Sequence, residues 1–134
     1  MSPHDEQARE LLAAAGRDEV TFHILRRNGE APVESTLFHA QQALEKGLKA
    51  ALVSEGIIFR RIHDLLELCE LAKAHGLSVP TERELLARLA PYAVEFRYLG
   101  VTAPKVSLDE ARTAVEELMA WARAKIGSEK ASNP

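Results

Sequence analysis

The chain predicts an all-α fold, an up-and-down bundle of about five helices, on three observations. Aromatic residues are only 5% of the 134 residues whereas hydrophobic residues reach 46%, a balance that suits packed helices better than a strand-rich sandwich or barrel. Apolar positions recur at steps of three and four residues, the period of a helix with one buried face. Capping residues and glycine stops punctuate those periodic stretches.

Ser2, Pro3 and Asp5 supply an N-cap, a proline at the first helical position and an acidic residue facing the helix dipole. The first helix starts there. Ala8, Leu11, Ala15, Phe22 and Leu25 keep one phase to Asn28-Gly29, where glycine is the usual stop. Asp18 falls inside that stripe. It is either a carboxylate aimed at the core or, if Gly16 breaks the helix, the cap of a new one.

Pro32 opens a second helix that runs to Glu55 and stops at Gly56. Leu37, Leu44, Leu48 and Leu52 share its buried face, and Ala43, Gly47 and Ala50 form a flank of small residues that lets a neighbouring backbone approach. The segment Ile57 to Ile62 is too apolar for a free loop and should pack on the domain or join a subunit contact. A third helix begins at His63-Asp64 and ends at His75-Gly76. Thr81 to Glu84 reads as a capping box that starts a fourth, with Leu85, Leu86, Leu89, Ala93 and Phe96 on its buried face. Pro91 should kink or split it. Ser107 to Glu110 is another capping box, and Ala111, Val115, Leu118, Met119 and Ala122 give the fifth helix its core face. Residues 1–127 are expected to form a single domain, with 128–134 as a mobile polar tail.

Seventeen basic against twenty acidic residues give a net charge of −3, which disfavours unaided nucleic-acid binding. Cys69 is the lone cysteine and reads as a small buried hydrophobe. Neither a signal-peptide segment nor a long apolar run is evident, so a soluble, cytoplasmic protein without membrane contact is expected. The five histidines show no helical pair four apart and no zinc spacing, so no metal site is expected. A glycine-rich phosphate loop and a nucleophile elbow are both missing from the sequence. No cofactor and no catalytic residue is assigned on these grounds.

The most informative feature lies on the second helix. Gln41 projects from the middle of the leucine stripe and Glu45 from its edge, at roughly 100° per residue. A buried carboxylate without a partner costs several kcal/mol or titrates to its neutral form. A cation from another helix is therefore expected, and Arg97 is the candidate. Asp18, Gln41, Glu45 and Arg97 should converge, either as an ion-pair network that sets helix register or as a polar pocket. His63 and Asp64 have two readings as well: a loop anchor with a helix cap, or a place beside Arg97 in an anion-binding cleft edged by Tyr92 and Tyr98.

Phe38-His39-Ala40-Gln41-Gln42-Ala43-Leu44-Glu45-Lys46-Gly47-Leu48-Lys49-Ala50, then His63-Asp64-Leu65, then Glu95-Phe96-Arg97-Tyr98 together resemble the HEPN domain family over nearly the whole chain. The resemblance implies a small helical bundle that commonly pairs with itself and often works beside a minimal nucleotidyltransferase; the family was named partly for proposed nucleotide binding. Many HEPN proteins resemble metal-independent ribonucleases with an arginine and a histidine a few residues apart on a late helix. Here no histidine follows Arg97 through Pro104, so that chemistry lacks its usual proton-transfer group. Arg17 and His23 have a suitable separation but lie on the first helix, and the role is not carried over to them. The leading expectation is a non-catalytic HEPN-like homodimer, or higher oligomer, that binds a nucleotide or a nucleotidyltransferase partner. The alternatives are a ribonuclease toxin acting on RNA through atypically placed groups, and a purely structural oligomer.

Overall fold

Two capping boxes anchor the ends of the bundle in sequence. The Ser2 hydroxyl accepts from the Asp5 amide at 3.1 Å while the Asp5 carboxylate takes the Ser2 amide at 3.2 Å, so α1 (Pro3–Arg26) starts with its free donors satisfied. Ser107 and Glu110 do the same for α5 (Leu108–Ala131), at 3.0 and 3.1 Å. The computed structural model describes residues 2–93 and 105–131, with side chains to residue 127. Within them lie α1, α2 (Val33–Ser54), α3 (Leu65–Ala74), α4 (Arg83–Leu89), a 3-10 turn (Ala90–Ala93) and α5, and no strand.

The first helix passes through Gly16 without a break, because Ala15 and Phe22 on either side are fully buried and their packing outweighs the roughly 1 kcal/mol intrinsic cost of glycine. Asp18 is consequently a mid-helix residue and not a cap. Gly56 (φ +73°) and Gly76 (φ +84°) terminate α2 and α3 in the left-handed conformation that glycine adopts without penalty. Asp64 caps α3, accepting from the amides of Leu66 at 2.8 Å and Glu67 at 3.2 Å.

One expectation is corrected. Thr81 does not cap α4: Glu82 holds the N-cap position and makes no side-chain bond there, while the Thr81 hydroxyl is buried with no partner among the described residues. The fifth helix runs past Gly127 to Ala131. Trp121 packs partly buried against the core. Pro91 does split its helix, since α4 stops at Leu89 and the chain tightens into the 3-10 turn, where the missing proline amide is no loss. Phe96 falls outside the described residues.

The second helix is the centre of the molecule. It packs along α1 and α5 and against α3 and the 3-10 turn, and Leu37, Leu44, Leu48 and Leu52 are all fully buried. Gly47 explains how closely α5 approaches: a β-carbon built there would lie 2.7 Å from Leu118 Cδ2 and 3.3 Å from Met119 Sδ. The 57–62 segment packs down on the domain through Ile57, Phe59 and Ile62, and of its apolar side chains only Ile58 is turned outward, 83% exposed.

Candidate polar site on the central helix

Gln41, Glu45 and Lys49 follow one another at four-residue steps, one helical turn each, on the flank of α2. All three are buried, Gln41 completely and Glu45 to 7% exposure. The Gln41 amide donates to Glu45 Oε1 at 3.0 Å, and Lys49 Nζ donates to Glu45 Oε2 at 2.9 Å. Gln42 closes the other end by donating to Gln41 Oε1 at 2.6 Å. Burial pushes the Glu45 carboxyl up, but the hydrogen bonds from Lys49 and Gln41 more than offset it and hold the group below its ordinary value. The carboxylate is therefore ionised and neutralised in place.

His63 reaches this row from the segment before α3. Its Nδ1 lies 2.8 Å from Lys49 Nζ and 3.2 Å from Glu45 Oε2. The Nδ1 atom accepts from the Lys49 ammonium in the Nε2–H tautomer and donates to the Glu45 carboxylate in the Nδ1–H tautomer, so the row holds this edge of the ring in either form. The ring itself is 70% exposed. The approach requires a turn at Arg61, whose φ of +44° is in the left-handed region that a non-glycine residue enters only at some energetic cost. Arg60 and Arg61 are exposed beside it.

The six residues expected to form a cluster are thus divided. Gln41, Glu45 and His63 meet. Asp64 is adjacent in sequence but serves the α3 amides. Asp18 is elsewhere: its carboxylate accepts from His39 Nδ1 at 3.0 Å and from Lys46 Nζ at 2.6 Å, joining α1 to α2 at a separate point. Arg97 and Tyr98 lie outside the described residues, and Tyr92 is in the core, 5% exposed, so it edges no cleft. The residue that sequence reasoning missed is Lys49. Its signal was present, because a lysine one turn after Glu45 is the favoured orientation for a helical ion pair.

Chemically the row is a buried strut that ends in an outward imidazole. The charges of Glu45 and Lys49 cancel, so the row holds a ring in place more than it attracts an ion. Among the described residues, one surface cleft of about 190 Å³ lies between His4 and the Gly56–Phe59 turn and another of about 210 Å³ lies between Thr81 and Glu117. Neither is lined by a residue of the row. Among the described residues no group of His, Cys, Asp and Glu is arranged to hold a metal, and no helix is long and apolar enough to cross a membrane.

The model of the HEPN domain family matches residues 6–125. The chain belongs to that family, and its all-α bundle is the HEPN fold. No curated protein and no solved structure matches it significantly.

Proposed function

We propose that this chain is a non-catalytic HEPN module that binds a nucleotide, alone or as the partner subunit of a minimal nucleotidyltransferase, and works as a homodimer. The observation that carries the reading is the exposed His63 ring, held at Nδ1 by a buried strut and following closely in sequence on Arg60 and Arg61, which are exposed and make no ion pair among the described residues. In its Nε2–H tautomer the ring supplies an N–H donor that, together with guanidinium groups from the same segment, suits phosphate oxygens, with Arg97 a further candidate contact. Gln41, Glu45 and Lys49 position the ring and do not touch the ligand. Asp64 contributes indirectly, by fixing where α3 starts.

Calorimetric titration with ATP and GTP, with and without a minimal nucleotidyltransferase, tests the reading. Saturable binding that weakens in His63→Ala and Arg97→Ala supports it. An absence of saturable heat in every arrangement overturns it in favour of a structural oligomer. A second reading, a metal-independent ribonuclease toxin, draws on the same ring, because with Nδ1–H donated to Glu45 the outward Nε2 is a free acceptor oriented as a general base is. Cleavage of structured RNA by the purified chain, lost in both His63→Ala and Arg97→Ala, would establish it instead.

A further inference from the structure

The outer face of α1 carries a pattern that the bundle itself does not use. Glu10, Ala13, Arg17, Val20, Ile24 and Arg27 follow one another in alternating steps of three and four residues, the spacing of a seam between two helices. All six are exposed, Val20 and Ile24 to 58% and 61%. Glu10, Arg17 and Arg27 have no ion-pair partner among the described residues. Two apolar side chains are thus set in a strip that is acidic at its start and basic at its end.

That order has a consequence for self-association. Reflected about the midpoint between Arg17 and Val20, the strip maps onto itself: Glu10 falls opposite Arg27, Ala13 opposite Ile24 and Arg17 opposite Val20. Antiparallel pairing of two copies sets the acid against the base at both ends, seats the large Ile24 over the small Ala13, and lays the Arg17 stem across Val20. Parallel pairing would set like charges together. We infer that α1 of one copy packs antiparallel on α1 of a second copy through this strip, forming the core of an isologous two-fold dimer about 26 Å long. The inference rests on the homodimer part of the functional reading and adds to it the surface and the register.

The test uses the full chain. Light scattering should give twice the 14.8 kDa chain mass, and Ile24→Asp or Val20→Asp should give a monomer that keeps the helical circular-dichroism spectrum, since both residues are exposed within one copy, while its melt no longer depends on protein concentration. Glu10→Arg and Arg27→Glu should each weaken the dimer, and the two reversals in one chain should restore it. The doubly substituted Ala13→Cys, Ile24→Cys chain should oxidise to a covalent dimer. Neither single cysteine should, because its own copy then lies about 16 Å along the opposing helix, beyond the roughly 7 Å Cα limit for a disulfide. A monomeric wild-type chain overturns the homodimer reading and the interface together. A dimer indifferent to Ile24→Asp and to charge reversal, or efficient cross-linking by a single cysteine, overturns the interface alone and leaves nucleotide binding to be judged by its own titration.

Discussion

Lys49 Nζ sits between Glu45 Oε2, at 2.9 Å, and His63 Nδ1, at 2.8 Å, so one ammonium both neutralises a buried carboxylate and anchors an exposed imidazole. This links the interior of α2 to the surface before α3. Replacing Lys49 by Met should destabilise the protein by about 3–5 kcal/mol, because it strands the Glu45 charge in the interior. Lys49→Met combined with Glu45→Gln should recover most of that loss. Urea unfolding of the two singles and the double gives the coupling directly, and strict additivity would sink the strut.

Acid should loosen the same connection. The Glu45 carboxyl is held below its ordinary value in the folded chain, so its contribution is complete above the unfolded-state pKa and is lost as pH falls through the folded one. Stability should decline below about pH 4.5, and Glu45→Gln should flatten part of that decline. Urea midpoints taken from pH 7 down to pH 3 measure it; an unchanged slope in Glu45→Gln would contradict the assignment.

The Glu110 carboxyl, held to about 2 by Arg88 and by the Ser107 amide, titrates in the same direction. Its hydrogen bond from Arg88 Nη2 is 2.8 Å long and ties the end of α4 to the start of α5. In Arg88→Ala the Glu110 resonance should titrate closer to the ordinary glutamate range, which NMR detects without any unfolding measurement.

Gly47 is required by the approach of α5. Alanine there gains roughly 1 kcal/mol of helix propensity but forces Leu118 or Met119 aside at a cost of about 1–3 kcal/mol. Gly47→Ala should therefore be destabilising by about 1 kcal/mol and Gly47→Val by more. A stabilised alanine variant would show that the two helices can part freely.

Thr81 runs the other way. Its hydroxyl is buried, the residue being 4% exposed, and has no partner among the described residues, so the nearly isosteric Thr81→Val removes an unsatisfied group and should stabilise by about 1 kcal/mol. A loss of stability would mean that the hydroxyl is bonded in solution.

The helices were legible because their signals are local. Ser2 with Asp5 and Ser107 with Glu110 act within one turn, and the leucines of α2 report their face through backbone period alone. Thr81 shows the limit: the same pattern of residue types failed as a cap because burial of the threonine side chain competed with the amide it should have met. The candidate site was half legible. The polar break in the stripe at Gln41 and Glu45 is visible in the chain, but the partner was sought on a distant helix when a lysine one turn away was closer.

What the amino-acid order determined by itself is the set of helices, their buried faces and the presence of a carboxylate that had to be neutralised inside. Which side chains met was decided only by the tertiary structure. Asp18 and Glu45 look alike as polar residues on apolar stripes, yet rotation of α1 against α2 gives the first to His39 and Lys46, and the left-handed turn at Arg61 brings His63 to the second. Period follows from the bonding of one helix; pairing follows from the packing of several, which no single stretch of sequence encodes.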